Sequence, residues 1–169
     1  MRHGFALFFS FLLASRPLSA ACEPSTTLAR AATERGAWTW GVSLDQVLPN
    51  GVSNVEVAVL TVGPSVGVGT GPGSAFLKAR YGTAPGVSLA TGELGYRLGL
   101  ENPFLRFFLE GGGYGLEYST ADSFSPPVFG GYLGYGITAP ASESILVSVG
   151  LNLYFQARSL FSVYADIMW

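Results

Sequence analysis

The last eleven residues, 159–169, constrain the fold more than any other part of the chain. Side chains at even positions of this stretch are mixed, whereas every odd position from residue 161 onward is apolar. Because successive side chains of a strand point to opposite faces, the pattern predicts a β-strand with one continuous apolar face. The apolar positions are Phe161, Val163, Ala165, Ile167 and Trp169.

This strand resembles the assembly signal of bacterial outer-membrane β-barrel proteins, in which the final strand alternates and ends on Phe or Trp. The resemblance implies an outer-membrane protein that is inserted by the barrel-assembly machinery among lipid and lipopolysaccharide. We therefore expect the five apolar positions of residues 161–169 to act as that signal.

The amino-terminal residues have the features of a secretory signal peptide. Arg2 and His3 precede an apolar run over 5–14, and Ser19-Ala20-Ala21 is a small-residue cleavage site. We assign residues 1–21 to the signal peptide and 22–35 to a periplasmic lead segment. Cleavage after residue 21 would leave Cys22 first, which raises lipidation as an open alternative.

Charge is sparse and slightly acidic in the remaining 148 residues. Losing Arg2 and Arg16 with the signal peptide leaves seven basic residues against eleven acidic ones, with no basic patch for nucleic acid. A soluble domain carries about a quarter charged residues, so this chain is poorly suited to water. No long apolar run follows residue 21, which excludes membrane helices. A membrane β-barrel fits, because only every second residue must face lipid.

Period-two alternation recurs along residues 36–169, which we assign to a barrel domain. We predict an eight-stranded antiparallel up-and-down transmembrane β-barrel, similar to the OmpA/OmpX-type small barrels. Two β-bulges are expected: one near Pro64, and one at 111–113 that turns Tyr114, Leu116 and Tyr118 toward lipid. The expected strands lie around 38–44, 55–70, 75–81, 87–100, 104–118, 128–137, 145–155 and 159–169.

A periplasmic carboxyl terminus orients every strand. The turns at 101–103 and 138–143 then face the periplasm, and loops around 45–53 and 119–127 face outward. Lipid-facing aromatic residues fall into two belts, as expected in a bilayer. The outer belt is Tyr81, Tyr118, Phe129, Phe155 and Phe161, and the inner belt is Trp38, Trp40, Tyr135 and Trp169.

Eight charged residues are predicted to point into the lumen. They comprise four bases and four acids: Glu56, Lys78, Arg80, Glu93, Arg97, Arg106, Glu110 and Asp166. Neighbouring strands should bring Glu93 and Arg97 close to Arg106 and Glu110. Because an eight-stranded barrel is just wide enough for side chains, we interpret these residues as an ion-paired plug. A catalytic or ion-conducting cluster is the alternative.

Enzymatic function is not indicated. The only histidine, His3, leaves with the signal peptide, so no catalytic triad or imidazole metal site is expected. The glycine-rich segment 67–73 lacks the Lys-Ser/Thr of a phosphate-binding loop, and we interpret it as a barrel turn. No cofactor or metal is predicted.

The layout, including residues 108–116, also resembles the lipid A deacylase barrels. In that family a His and a Ser near the end of the penultimate strand perform the hydrolysis. Residues 152–157 contain neither. We therefore predict a monomeric, non-enzymatic outer-membrane barrel with a structural or surface-interaction role. The alternatives are an inactive or unusual lipid-modifying barrel and a soluble lipocalin-like carrier whose apolar face points inward.

Overall fold

The chain forms a sheet of antiparallel strands with short connections. The computed structural model describes residues 34–48, 58–100, 106–120, 123–142, 144–155 and 160–169. Within these ranges no helix is long and apolar enough to cross a membrane. The strands of the described residues are β1 (Trp38–Leu48), β2 (Val59–Gly69), β3 (Gly73–Ala84), β4 (Val87–Leu100), β5 (Arg106–Thr120), β6 (Ser123–Phe124), β7 (Val128–Ser142), β8 (Ile145–Phe155) and β9 (Leu160–Met168).

The sheet closes on itself. Each long strand pairs antiparallel with the next long strand in sequence, and β1 pairs with β9 to complete the ring. The two-residue β6 only adds to the end of β5. The predicted eight-stranded up-and-down barrel is therefore confirmed, with β6 outside the eight.

Tryptophan side chains mark one end of the barrel. One end, here called the tryptophan end, carries the start of β1 and the end of β9, where the backbones of Trp40 and Trp169 exchange hydrogen bonds of 2.9 and 3.1 Å. The β2–β3 turn lies at this end and includes Gly71 with a φ of 104°, which favours glycine. Residues 70–72 of the glycine-rich segment form this turn, as predicted, whereas 67–69 end β2 and Gly73 begins β3.

The apolar faces of the last two strands point away from the barrel axis. Phe155 is 47% exposed and Trp169 is 59% exposed, whereas Tyr164 and Asp166 between the apolar positions of β9 are buried. A lipocalin-like carrier requires the opposite arrangement. The other outward aromatic side chains include Trp38, Trp40, Tyr81, Phe129 and Tyr135.

The bulge expected near Pro64 is wrong. β2 pairs with β1 and β3 in one continuous register, so its even positions face outward along its whole length. Consequently Val59 is buried inside the barrel while Leu60 is 58% exposed. The alternating Val55, Val57 and Val59 had suggested an odd outward face, but an apolar side chain is equally stable inside the barrel where other apolar groups surround it.

The bulge expected at 111–113 is also wrong. β5 keeps one register with both β4 and β7, so Tyr114 and Leu116 are buried inside and Tyr118 packs against them. Tyr118 therefore does not belong to an outer aromatic belt. These residues join an apolar cluster that lies mostly in the half of the lumen opposite the tryptophan end, with Phe76 beside Lys78 and Arg97 as the exception. Its members are Val47, Val59, Phe76, Val87, Leu89, Tyr114, Leu116, Tyr132 and Tyr154.

β1 and β5 both extend into residues that were expected to form outer loops. Residues 45–48 belong to β1, and Asp45 is buried in the lumen instead of lying in a loop. Residues 119–120 continue β5 and pair with β6, which leaves Phe124 82% exposed at the tip. At the tryptophan end, β7 continues to Ser142, although the sequence predicts a turn at 138–143.

Candidate functional site

Charged side chains fill the middle of the lumen. Such groups are stable away from water only when they are paired and hydrogen-bonded. Seven are buried or nearly so, and they divide into two clusters. The four-charge cluster is Lys78, Arg97, Glu110 and Asp166, and the three-charge cluster is Asp45, Arg80 and Glu93.

The four-charge cluster lies on the side of the tryptophan end and is electrically balanced. Arg97 Nη2 lies 2.7 Å from Glu110 Oε2 and 2.8 Å from Asp166 Oδ2. Lys78 Nζ lies 2.9 Å from the same Asp166 oxygen and 4.0 Å from Glu110 Oε1. Each base thus contacts both acids, which neutralises all four groups.

Arg97 is the centre of this cluster. Its Nε donates a second hydrogen bond to Glu110 Oε2 at 2.9 Å, and its Nη1 donates to Ser148 Oγ at 3.2 Å. The guanidinium carbon lies 4.1 Å from the centroid of the Phe108 ring, a cation–π contact. Arg97 therefore links three separate parts of the barrel wall.

The three-charge cluster lies nearer the opposite end and carries one excess negative charge. Arg80 Nη2 lies 3.1 Å from Asp45 Oδ2 and also contacts Glu93 Oε1. The remaining guanidinium donors reach Ser43 Oγ at 3.0 Å and Thr91 Oγ1 at 3.3 Å. One arginine therefore serves two carboxylates.

A buried tyrosine supplements this arginine. The Tyr154 hydroxyl donates to Glu93 Oε1, lies 3.3 Å from Asp45 Oδ2, and accepts a 3.3 Å hydrogen bond from Ser162. Its ring packs edge-on against Tyr114 with centroids 4.8 Å apart. Tyr154 thus joins the ion pairs to the apolar cluster beyond them.

The predicted lumen residues have different positions. Lys78, Arg80, Glu93, Arg97, Glu110 and Asp166 lie in the two clusters; Arg106 is half-buried at the tryptophan end; Glu56 lies outside the described residues. Arg97 and Glu110 are register partners on adjacent strands, as expected. Glu93, however, contacts Arg80 of β3.

Sequence reasoning missed Asp45 and Tyr154. Asp45 has the same parity as Gly41 and Ser43, the inward positions of β1, and that parity would have placed it in the lumen. Tyr154 stands between the outward residues Leu153 and Phe155. A carboxylate near a turn indicates a loop, so Asp45 was expected in one. The parity of Tyr154 places it in the lumen, but nothing in the sequence pairs a tyrosine hydroxyl with buried charges.

Two small cavities lie beside the charged side chains of the described residues. A cavity of about 60 Å³, here called the mouth cavity, lies at the tryptophan end and is lined by Thr39, Ser74, Arg97, Gly99, Arg106, Phe107, Phe108, Thr138, Leu146 and Met168. A smaller one of about 20 Å³ lies beside it. Across the described part of the chain, no three His, Cys, Asp or Glu residues are grouped to hold a metal ion.

Solved structures of small bacterial outer-membrane barrels share this architecture. Neisserial surface protein A has a TM-score of 0.62 at 11% identity, covering 78% of this chain and 94% of that one. The amino-terminal barrel of Pseudomonas aeruginosa OprF has a TM-score of 0.57 at 11% identity, covering 78% and 97%. No protein-family model and no curated protein matches the sequence. The chain has the fold of the small eight-stranded β-barrels of outer membranes.

Proposed function

We propose that this protein is a non-enzymatic integral protein of the bacterial outer membrane, with a closed lumen and a structural or surface-interaction role. The single observation that carries the proposal is the division of the barrel into an apolar outer face and an ion-paired, hydrogen-bonded interior. Lipid solvates the apolar outer face, and the interior groups are stable without water because they pair with one another.

The outer face supports a bilayer environment. Side chains as large and apolar as Leu94, Leu133 and Phe129 are between 61 and 77% exposed. An exposed apolar surface that encircles a protein is unfavourable in water. In a membrane the same surface contacts acyl chains, and the closed ring of strands leaves no backbone edge unpaired there.

The interior supports a closed lumen. Arg97 crosses it in the tryptophan-end half, and Arg80 and Tyr154 cross it in the other half. Buried apolar side chains, among them Val47, Val59 and Leu116, then fill the space beyond. Ions passing through would have to break desolvated ion pairs and displace packed aromatic rings.

The orientation of the barrel in the membrane is inferred from its last strand. In this proposal the tryptophan end faces the periplasm, β9 is read by the barrel-assembly machinery, and lipopolysaccharide surrounds the opposite end. Residues 1–21 would direct export, and the protein would act as a monomer.

Membrane fractionation tests the location. Expressed in a bacterium with two membranes, the protein should appear in the outer-membrane fraction and require detergent for extraction. Its gel migration should change on heating, as folded barrels resist the detergent until boiled. Recovery of folded protein in buffer without detergent would contradict the proposal.

Planar bilayer recordings and lipid A analysis test the remaining parts. The purified protein should give no sustained single-channel conductance, and lipid A mass spectra should be the same with and without the gene. A steady conductance would refute the closed lumen. Loss of an acyl chain that tracks the gene would refute the non-enzymatic role.

A further inference from the structure

The three-charge cluster is less balanced than the four-charge cluster. Among the residues that the structure describes, Asp45 and Glu93 both contact Arg80 as their base. All three side chains are at most 1% exposed, so water does not stabilise the additional negative charge. An unpaired buried charge is unfavourable, and a carboxyl group avoids it by keeping its proton.

None of the other described bases is placed to balance this charge. The two bases of the four-charge cluster each contact both acids of that cluster. Arg106 lines the mouth cavity at the tryptophan end, and Arg35 is exposed just before β1. The segment 49–57 after β1 contains no Lys or Arg. Arg158 belongs to the connection between β8 and β9, outside the described residues, so its contribution is tested by substitution.

The hydroxyl group of Tyr154 supplies an independent argument, because it carries a single hydrogen. It contacts Glu93 Oε1 and lies 3.3 Å from Asp45 Oδ2. The hydrogen that Tyr154 donates to Glu93 leaves the Tyr154 and Asp45 oxygens facing each other with none between them. A proton on Asp45 removes this repulsion, since its O–H can donate to the Tyr154 oxygen. That oxygen has two lone pairs, one for Asp45 and one for Ser162.

Asp45, and not Glu93, is the acid placed to keep the proton. Glu93 Oε1 accepts hydrogen bonds from both Arg80 and Tyr154, and such bonds stabilise the charged form of a carboxyl group. Asp45 has the longer contact with Arg80, at 3.1 Å. Each acid also has one buried oxygen without a hydrogen-bond partner, Oδ1 of Asp45 and Oε2 of Glu93. The protein therefore does not provide enough donors for two carboxylates.

The other titratable side chains around Asp45 do not supply the missing charge. The inward residues of β2 beside it, Val59 and Thr61, do not ionise. Tyrosines are neutral at the pH of interest, and Lys78, two positions from Arg80, is paired with Asp166. The full set facing this part of the lumen is Lys78 and Arg80 of β3, Glu93 of β4, Tyr114 of β5, Tyr132 of β7, Tyr154 of β8 and Tyr164 of β9.

We propose that Asp45 is a proton-binding site: in the folded barrel its carboxyl group keeps a proton and donates it to Tyr154, which donates in turn to Glu93. The proton comes from water when the barrel folds, and the O–H bond of Asp45 is the only bond that forms. The site is additional to the closed-lumen role. Because the folded barrel then binds one more proton than the unfolded chain, its unfolding free energy falls as the pH rises through the titration of Asp45.

The carboxyl carbons of the aspartates report this proton directly. The sequence contains only three aspartates, Asp45, Asp122 and Asp166. Protein labelled with ¹³C at these carbons and refolded in a maltoside detergent is studied by NMR at about pH 5.5, where an ordinary aspartate is ionised. The Asp45 signal, assigned from its loss in Asp45→Asn, should lie at the position of a protonated acid. The Asp166 signal should lie at that of a carboxylate, because two bases contact it.

Glu93→Gln is the decisive variant, because it removes the excess charge and keeps the shape of the side chain. Arg80 then has Asp45 as its carboxylate, and the Asp45 signal should move to the carboxylate position at the same pH. Glu117→Gln is the matched control, since Glu117 is exposed on the outward face of β5; it should leave Asp45 protonated. Arg158→Gln should also leave the Asp45 signal unchanged. Heat-shifted migration on a gel confirms that each variant is folded.

Urea unfolding at two pH values gives a second measurement. The midpoint of the unmodified protein should fall between about pH 5.5 and about pH 8.5, and Asp45→Asn should remove most of that fall because its amide stays neutral. A carboxylate signal for Asp45 at about pH 5.5 in the unmodified protein overturns the proposal, whichever cation balances the charge. A protonated Asp45 in folded Glu93→Gln also overturns it, because the proton would then not depend on Glu93.

Discussion

Arg97 on β4 and Asp166 on β9 lie 2.8 Å apart, although their strands are not neighbours in the barrel. The contact therefore crosses the lumen instead of running along the wall. Together with the Arg97–Glu110 contact on the adjacent strand, it ties opposite sides of the ring to one guanidinium.

Replacing Arg97 by Met should destabilise the barrel by about 3–5 kcal/mol, because Glu110 and Asp166 would keep buried charge with only Lys78 to compensate. The measurement is urea unfolding in lipid vesicles followed by tryptophan fluorescence. Adding Asp166→Asn to Arg97→Met should recover part of the loss. If the changes in unfolding free energy of the two substitutions are additive, Arg97 and Asp166 are not coupled, and the contact across the lumen is refuted.

The two tyrosines Tyr154 and Tyr114 should respond differently to loss of their hydroxyl groups. Tyr154→Phe removes one of the two donors to Glu93 and leaves only Arg80, so it should cost about 1–3 kcal/mol of unfolding free energy. Tyr114→Phe should leave the unfolding free energy unchanged or raise it slightly, because the Tyr114 hydroxyl is buried without a hydrogen-bond partner. Equal effects in the two variants would argue against the hydrogen bond to Glu93.

Neighbouring glycines of β5 provide a test of which face is interior. A Cβ at Gly112 would collide with the backbone of Leu94 and Gly95, whereas at Gly113 the nearest atom is the Gly130 carbonyl oxygen at 3.8 Å. Gly112→Ala should therefore destabilise the barrel by about 1–3 kcal/mol. Gly113→Ala should be neutral or stabilise it by about 0.5–1 kcal/mol, since glycine is entropically unfavourable within a strand. If Gly113→Ala destabilises the barrel more than Gly112→Ala does, the inward face of β5 is assigned incorrectly.

The terminal residue should matter for assembly more than for stability. Trp169 and Trp38 are both outward at the tryptophan end, 59 and 65% exposed. Trp169→Ala should reduce the amount of protein in the outer membrane several-fold, while Trp38→Ala should not. The urea midpoints of the two refolded variants should agree. Equal outer-membrane yields would remove Trp169 from the proposed signal.

Much of the fold could be predicted from alternation alone. Phe155, Phe161 and Trp169 lie on the expected outward side, and the strand count was correct apart from the short β6. The errors have one physical origin: a period-two pattern separates two faces without saying which one is inside. At the end of the lumen that is apolar, Val59 and Tyr114 are stable inside, so bulges had been inferred where the register is continuous.

The candidate site was less predictable than the fold. The residues of the four-charge cluster could be found from the parity of their strands, but their partners could not, because Arg97 and Asp166 meet across the barrel. Asp45 was missed because the sequence does not show where β1 ends. Barrel closure, which determines these distances, is a property of the whole ring.

Quenching of the intrinsic tryptophan fluorescence by brominated lipids tests the central claim most directly. All three tryptophans of the chain, Trp38, Trp40 and Trp169, lie on the outward face at one end. In vesicles of phosphatidylcholine brominated close to the headgroup, emission from the unmodified protein should be strongly quenched, and bromine near the bilayer centre should quench it less. The account is contradicted if brominated lipid does not quench the emission at any depth and a water-soluble quencher does. That result would show that water, and not lipid, contacts this face.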